Sequence, residues 1–419
     1  MARENLSFFD APATQAWLAQ FDPRDQPTAA EMLKAMALVS HEAFANGLSA
    51  LLLRRLAKGR QPMGLYVERE LPRYKGRPNR LFKETKTKVR KAYGIGPQPV
   101  KPTRAYDPDV GSEGLVAQLV SELCRQNKGI LFNHPGPDSI RKYKIRRFVV
   151  VTDFVGSGKR ARDYLEAAWR VASVKSWRSA GADKGLRFEV IAYAGTPEGQ
   201  RNVEEHPCKP KVRFVAGCPT VGQLSSEDAR YRIRGICVRY DPVDHDPTDS
   251  LGFRSGGALI AFAHGVPNNA PRILHKRAAK WAPLFPARVT ANSRTHFTQR
   301  DDAQSIADRL VQMRQRGLAT AAWLKTASPK LQALVLVLAA LGRGPRNVEA
   351  VSRQTGLTQF EVERWLEHAI GQGWVNDKRR LTDLGQSELH MLRKTVVRQK
   401  PLQPPRKKMY FPTMLRAPS

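Results

Sequence analysis

The segment Val149-Val-Val-Thr-Asp-Phe-Val-Gly-Ser-Gly-Lys-Arg160 decides the fold prediction. It begins inside an apolar run, residues 147–153, which is typical of a strand buried on both faces. It ends in a Gly-Ser-Gly turn that opens a helix predicted over residues 157–175. Consecutive backbone N–H groups of such a turn, followed by a helix N-terminus, form a binding site for an anion. The segment therefore predicts an α/β domain with a phosphate-binding turn.

Each residue of this turn has a predicted role in binding the anion. Gly156 and Gly158 allow unusual dihedral angles and a close approach of the backbone. Ser157 offers a hydroxyl donor, and Lys159 and Arg160 add positive charge. The alternative is an ordinary strand–turn–helix connection without a ligand.

The turn is not an ATP-binding P-loop. That motif needs glycine five residues before its second glycine, and serine or threonine after its lysine. Asp153 occupies the first of these positions and Arg160 the other, so both ends of the motif fail.

Further strands and helices extend the α/β pattern along the chain. Short apolar runs predict strands at 64–68, 188–193, 211–216 and 258–264, and leucines at helical spacing predict a helix over 112–127. Strands that alternate with helices predict a parallel sheet with helices on both faces.

The decisive segment resembles the motif of type I phosphoribosyltransferases, in which a strand ends in two acidic residues before a Thr-Gly loop. The resemblance implies that the acids hold the ribose hydroxyls of phosphoribosyl pyrophosphate, that the loop binds its 5′-phosphate, and that Mg²⁺ binds the departing pyrophosphate. Asp153 stands at the second acid and Ser157-Gly158 at the Thr-Gly pair. Thr152 replaces the first acid, so an active and an inactive site both stay open.

A second stretch is similar to one particular phosphoribosyltransferase-like family, which occurs in bacterial conflict systems. It covers residues 251–269, with Trp-Ala-Pro-Leu-Phe-Pro at 281–286 and Gly-Ser-Glu-Gly at 111–114. The resemblance implies a toxic effector of a retron-type anti-phage system. Its implied partners are a reverse transcriptase and the branched RNA–DNA that this enzyme makes.

Three residues of this second stretch are candidate site residues. His264 ends a predicted strand, and the carboxyl ends of strands form the ligand-binding edge of an open α/β sheet. It is a candidate proton donor or phosphate contact, with a structural histidine as the alternative. Asn268 and Asn269 follow proline, a pattern that is more often a turn than a contact to a base.

The C-terminal part of the chain predicts a winged helix–turn–helix. Three helical runs between residues 331 and 372, with Thr358 capping the third, precede a charged turn at 377–380 and a closing helix. The third helix offers Thr358, Gln359, Glu361, Arg364 and His368 to a major groove, although many winged helices bind protein instead. The candidate nucleic-acid contacts are Arg364, Lys378, Arg379, Arg380, Arg393, Lys394, Arg406, Lys407 and Lys408.

The predicted organisation has five parts. They are a helical N-terminal segment (1–60), an α/β domain (61–286) with a basic insertion (69–104), a connector (287–328), a winged helix (329–394) and a basic tail (395–419). In the first part, Thr28 and Glu31 predict a capping box, and residues 45–47 predict a helix break.

The composition limits the classes of function. The 419 residues carry a formal net charge of +32, which predicts a polyanionic partner such as nucleic acid. Four scattered cysteines and a first segment without an apolar run predict a cytoplasmic protein without a signal peptide, and no apolar run is long enough to predict membrane insertion. Assembly into an oligomer is compatible with the sequence. An effector enzyme, a nucleic-acid-binding scaffold with an inactive fold, and a ligand-sensing transcriptional regulator all stay open.

Overall fold

A computed structural model describes most of the chain: residues 8–59, 61–99, 112–181, 184–243, 249–291, 293, 297, 303–342, 344 and 346–394. The strands are β1 (Ala37–Val39), β2 (Met63–Val67), β3 (Arg73–Tyr74), β4 (Arg77–Pro78), β5 (Lys83–Glu84), β6 (Ala92–Tyr93), β7 (Leu131–Asn133), β8 (Arg147–Val155), β9 (Arg187–Gly195), β10 (Lys211–Phe214) and β11 (Ile260–Phe262). The helices of the first 290 residues are α1 (Pro12–Leu18), α2 (Gln26–Lys34), α3 (His41–Gly59), α4 (Glu113–Gln126), α5 (Pro137–Lys142), α6 (Lys159–Trp169), α7 (Ala172–Ser179), α8 (Pro197–Glu204) and α9 (Glu227–Arg239). Those that follow are α10 (Ala303–Gln312), α11 (Arg316–Ala319), α12 (Trp323–Thr326), α13 (Pro329–Leu341), α14 (Val348–Thr355), α15 (Gln359–Gly371) and α16 (Asp383–Lys394).

The central sheet has five parallel strands in the order β10-β9-β8-β2-β7. Helices cover both of its faces, so β8 and β9 are apolar and buried along most of their length. The helices α3 and α4 pack on one face, and α6 and α7 pack on the other. The predicted α/β fold with a parallel sheet is confirmed.

The strand predicted at 258–264 belongs to a different sheet. Only β11 forms there, and it pairs in parallel with β1, so the two make a separate two-stranded sheet. The helices α1 and α2 pack with α9 and with the chain around Trp281 in a core of their own. The N-terminal segment predicted to be helical therefore also contains a strand.

Three local predictions in the helices differ from the structure. Thr28 does not cap a helix, because Pro27 suits a first turn and α2 already begins at Gln26. Residues 45–47 lie inside α3 without a break, and a Cβ on Gly47 would lie 2.7 Å from Val215 Cγ1. The helix predicted over 157–175 is two helices, because Val171 between them is extended and buried.

The C-terminal part forms one compact unit. The helices α13, α14 and α15 precede a short ribbon, in which Val375 pairs with Leu381, and α16 closes the unit. The helices α10 to α12 share this core, although the sequence predicts a connector there. Thr358 caps α15 in a capping box with Glu361, as its sequence position predicts. The predicted winged helix is confirmed.

None of the helices in the described part of the chain is long and apolar enough to span a bilayer.

Candidate phosphoribosyl site

The site lies where two neighbouring parallel strands of the sheet end. Val67 of β2 is level with Val151 of β8, so Glu68 and Thr152 come next to each other. The Glu68 N–H donates to the Val151 carbonyl at 2.9 Å. From β2 the chain passes outward to β7, and from β8 it passes outward the other way to β9. This divergence opens a crevice at the carboxyl ends of the strands, the usual ligand site of such sheets.

Glu68 is a buried acid that the sequence analysis did not select. Thr152 Oγ1 donates to Glu68 Oε2 at 2.6 Å, and both residues are buried. Burial raises the pKa of Glu68 to about 7, and it outweighs the opposing effects of Arg160 and the Thr152 hydroxyl. The neighbouring strand thus places a carboxyl group next to Thr152, the residue that replaces an acid in the motif.

Asp153 and His264 form a pair across the crevice. His264 Nε2 lies 3.4 Å from Asp153 Oδ2, although the histidine follows the separate strand β11. Burial raises the pKa of Asp153, but the hydrogen bonds of His264 and Ser112 and the charges of His264 and Arg160 together lower it by more, so the net shift is downward. The His264 ring stacks on Phe262, with the two centroids 5.0 Å apart. Its Nδ1 is buried without a hydrogen-bond partner in the described part of the chain.

The turn at Gly156, Ser157 and Gly158, here called the cradle, is held by α8. Thr196 Oγ1 donates to the Gly156 carbonyl at 2.6 Å, and Asn202 Nδ2 donates to the Ser157 carbonyl at 2.7 Å. Gly158 has a φ of +73° and precedes α6, as a phosphate-binding turn at a helix N-terminus requires.

Close packing around the cradle leaves no room for larger residues. A Cβ on Gly199 of α8 would lie 2.0 Å from the Gly156 carbonyl oxygen, and one on Gly156 would lie 1.8 Å from Asn269 Oδ1. Asn269 is buried and donates to the Phe253 carbonyl at 3.0 Å, so it holds the loop beside the cradle. Asn268 is exposed, and its carbonyl accepts from the Phe253 N–H.

The two cations after the cradle lie at the rim of the crevice, and each is paired with an acid. Lys159 Nζ lies 2.7 Å from Asp163, and Arg160 forms an ion pair with Glu113 of α4. Glu68, Glu113, Asp153, the cradle, His264 and both asparagines line one cavity of about 590 Å³. That volume suits a nucleotide-sized ligand.

His134 fixes the end of β2 from the opposite side. Its Nε2 accepts from the Val67 N–H at 3.0 Å, and its Nδ1 lies 2.6 Å from Asn133 Oδ1. Burial lowers the pKa of His134 to about 4, so the ring is neutral and this acceptor role is preserved at physiological pH. The backbone of Val67, immediately before Glu68, is therefore held in place.

The crevice has few metal ligands of its own. No group of three or more histidine, cysteine or acidic side chains in the described part of the chain is arranged to hold a metal ion. Mg²⁺ is commonly bound by one or two carboxylates together with phosphate oxygens of the substrate. Glu68 and Asp153 fit that mode of binding, in which the ion depends on a phosphorylated ligand.

The comparisons with known proteins agree with this geometry. A family model described as PRTase-CE, in which PRTase stands for phosphoribosyltransferase, matches residues 14–287. The chain belongs to the PRTase-CE family. A second model, described as wHTH-PRTase associated, matches residues 335–417. No curated protein and no solved structure matches the chain at a significant level.

The winged helix is docked on the PRTase-CE domain through the start of α15. The Gln359 N–H donates to the Val215 carbonyl at 2.7 Å, and Ser352 Oγ accepts from the Gly217 N–H at 3.0 Å. Glu363 forms an ion pair with Arg54 of α3. The first turn of the predicted recognition helix is therefore engaged within the chain.

The predicted nucleic-acid contacts of the winged helix differ in their surroundings. Arg364 is exposed over the Trp365 ring, and Lys378 and Arg380 are exposed on the wing. Arg379 donates to the Arg346 carbonyl at 3.2 Å, and Arg393 donates to Gln315 Oε1 at 2.8 Å. The Lys394 side chain and Arg406, Lys407 and Lys408 lie outside the described residues.

Proposed function

We propose that the crevice of this PRTase-CE domain binds a phosphoribosyl ligand, either phosphoribosyl pyrophosphate or a nucleotide. The observation that carries the proposal is the placement of two carboxyl groups, Glu68 and Asp153, beside the cradle. Carboxylates accept hydrogen bonds from ribose hydroxyls, and a glycine turn at a helix N-terminus binds phosphate. Glu68 supplies the carboxyl group that Thr152 lacks.

The same residues would support chemistry at C1′ of the ribose. In pentosyl transfer or nucleotide cleavage, the bond from C1′ to the leaving pyrophosphate or base breaks, and the leaving group keeps the electron pair. A nucleophilic acceptor, or water in the case of cleavage, would supply the electron pair for the new bond to C1′ and release a proton to the leaving group or to solvent. The cradle would fix the 5′-phosphate, so that binding energy is used for positioning. The Asp153 carboxylate would stabilise the positive charge that develops on the sugar, and His264 would orient that carboxylate. Mg²⁺ would neutralise charge on a departing pyrophosphate.

Calorimetry with phosphoribosyl pyrophosphate and Mg²⁺ tests the proposal. We expect Asp153→Asn to weaken binding by about tenfold, because the substitution removes one charge-assisted contact to the ligand. Asp383→Asn, an exposed residue at the start of α16, is the matched control and should bind as the unmodified protein does. Equal binding by both variants would contradict a phosphoribosyl site at Asp153.

At the level of the cell, we propose that the chain is an effector of a retron-type anti-phage system. The fusion of the PRTase-CE domain to a winged helix supports this role, because it unites a ligand site with a unit suited to nucleic acid or protein. The branched RNA–DNA or its reverse transcriptase would contact the exposed wing, since the start of α15 is engaged within the chain.

A wing variant tests that contact. Lys378→Glu/Arg380→Glu reverses two exposed charges, and we expect it to reduce co-purification of the chain with the reverse transcriptase and branched RNA–DNA by at least fivefold. Arg230→Glu/Arg234→Glu on α9 makes the same charge change elsewhere and should leave recovery unchanged. Unchanged recovery with both variants would refute a wing contact.

The second candidate is a nucleic-acid scaffold or ligand-sensing regulator with an inactive fold. Thr152 in place of an acid is the observation that favours it. This candidate predicts ligand binding without any turnover of phosphoribosyl pyrophosphate or nucleotides, which product analysis by chromatography would distinguish from the enzyme.

A further inference from the structure

We propose that the PRTase-CE domain binds single-stranded nucleic acid on a second surface, formed by residues 71–95 together with residues 141–143 at the end of α5. We call this surface the basic platform. It is separate from the wing, and the proposal does not depend on the ligand of the crevice.

The basic platform carries a high density of unpaired positive charge. Among the described residues, none of its exposed cations in the following set has an acidic partner: Arg77, Lys83, Lys86, Lys88, Arg90 and Lys91. The one acid inside this stretch, Glu84, is already paired with Arg80 at 3.1 Å and accepts from the Ala172 N–H. Like charges at so many neighbouring positions of the chain repel each other, so the surface is complementary to a polyanion.

Aromatic rings stand exposed among these cations. Tyr74 is 69% exposed, Tyr93 47% and Tyr143 43%. Lys75 and Lys142 lie over the rings of Tyr74 and Tyr143, with the ammonium groups 5.6 and 5.2 Å from the ring centroids. Exposed rings beside cations are the means by which proteins stack unpaired bases and hold the phosphates between them. A duplex hides its base faces, so the rings favour a single strand.

The basic platform is a fixed part of the fold. Phe82 and Ala92 are buried in the core below it. The Ala92 N–H donates to Ser173 Oγ at 2.8 Å, and the Leu81 N–H donates to the Ala167 carbonyl at 2.9 Å. The backbone that carries the cations and rings is therefore anchored to the fold, which lowers the entropic cost of binding.

The basic platform also adjoins the crevice. Arg73 and Lys159 both pair with Asp163, at 2.6 and 2.7 Å, so its first hairpin touches the helix that begins at the cradle. A strand bound on the platform would run beside the phosphoribosyl site without occupying it.

Fluorescence anisotropy of the full chain with a labelled oligothymidylate of about 16 nucleotides tests the proposal, because that length covers a typical single-strand site. The charge variant is Lys86→Gln/Lys88→Gln/Lys91→Gln. We expect about tenfold weaker binding and a salt dependence that is shallower by about 2 in its logarithmic slope, for three lost phosphate contacts. The matched control, Arg234→Gln/Arg277→Gln/Lys280→Gln, removes the same charge from other exposed positions and should change affinity less than twofold.

A ring variant separates stacking from charge. Tyr74→Ser/Tyr93→Ser should weaken single-strand binding by about tenfold while leaving the salt slope unchanged, because no cation is removed. Equal losses in the platform and control charge variants would overturn the proposal, as would a ring variant that binds normally. Tighter binding of the platform to anionic lipid vesicles than to the oligonucleotide would also overturn it. Phosphoribosyl pyrophosphate binding, measured separately, reports on the crevice alone.

Discussion

Glu68→Gln should stabilise the protein against urea at pH 8 and leave its stability nearly unchanged at pH 4.5. Burial raises the pKa of Glu68 from 4.5 to about 7, so the fold favours the neutral acid. The stability contributed by that acid is fully present below pH 4.5 and is lost as the pH rises through 7. Above pH 7 the ionised Glu68 lowers the free energy of unfolding by roughly 3 kcal/mol. Glutamine avoids this cost because it is neutral, and its side-chain carbonyl still accepts from Thr152.

The same substitution should impair ligand binding. The ionised Glu68 is the form that would accept from ribose hydroxyls, so affinity for phosphoribosyl pyrophosphate should rise as the pH increases through 7. In Glu68→Gln this rise should vanish. Calorimetry and urea unfolding at pH 4.5, 7 and 8 check both effects, with the exposed Glu122→Gln as the control. If Glu68→Gln is less stable than the unmodified protein at pH 8, the ionised Glu68 does not destabilise the fold.

A gain in stability that accompanies a loss of binding would mark Glu68 as a functional group. Proteins retain a costly buried carboxyl group where its chemistry is needed, and perturbed acids are concentrated at such sites. Thr152 donates to the carboxyl group itself, and His134 fixes the backbone of the preceding residue, Val67.

Much of the site could be predicted from one strand and its turn. The apolar run before Asp153 and the glycines after it are local signals, and the structure places both at the crevice. Glu68 carries a similar signal, because it too follows an apolar strand. Its position beside Thr152 depends on the register of β2 against β8, which a single sequence does not reveal. The strand at 64–68 is therefore predicted correctly, but its pairing with β8 and the place of its acid in the site are not.

Other features depended on contacts between distant parts of the chain. His264 lies next to Asp153, so it stands at the crevice where its sequence position predicts it. The strand before it, β11, pairs with β1, so the prediction that this strand belongs to the central sheet is wrong. The docking of α15 on Val215 and Arg54 has no local signal at all. Periodicity and turn residues report local structure, whereas domain docking depends on surfaces that only the folded chain creates.

Glu189→Ala should destabilise the protein by about 3–5 kcal/mol, because it leaves a buried arginine without its counter-ion. Glu189 lies on β9 and accepts from Arg147 Nε at 2.9 Å and from Arg55 Nε at 3.0 Å. Burial raises the pKa of Glu189, but the two arginines lower it by more, so the carboxylate stays ionised. Its stabilising contribution is present above its ordinary pKa and is lost as the pH falls through the lowered value.

Urea unfolding at pH 7 measures this loss, and a double variant gives the control. Glu189→Leu/Arg147→Met removes both fully buried charges and should recover most of the stability, because the arginine left without its counter-ion is Arg55, whose side chain is 20% exposed and can reach water. A single variant as stable as the unmodified protein would mean that the arginines reach water when the acid is removed.

Glu189 and Glu68 are both buried beside the same sheet, yet their pKa values shift in opposite directions. Two arginines neutralise Glu189 near the start of the strands. Glu68 ends its strand at the open crevice, where we propose that a ligand supplies its hydrogen-bond partner.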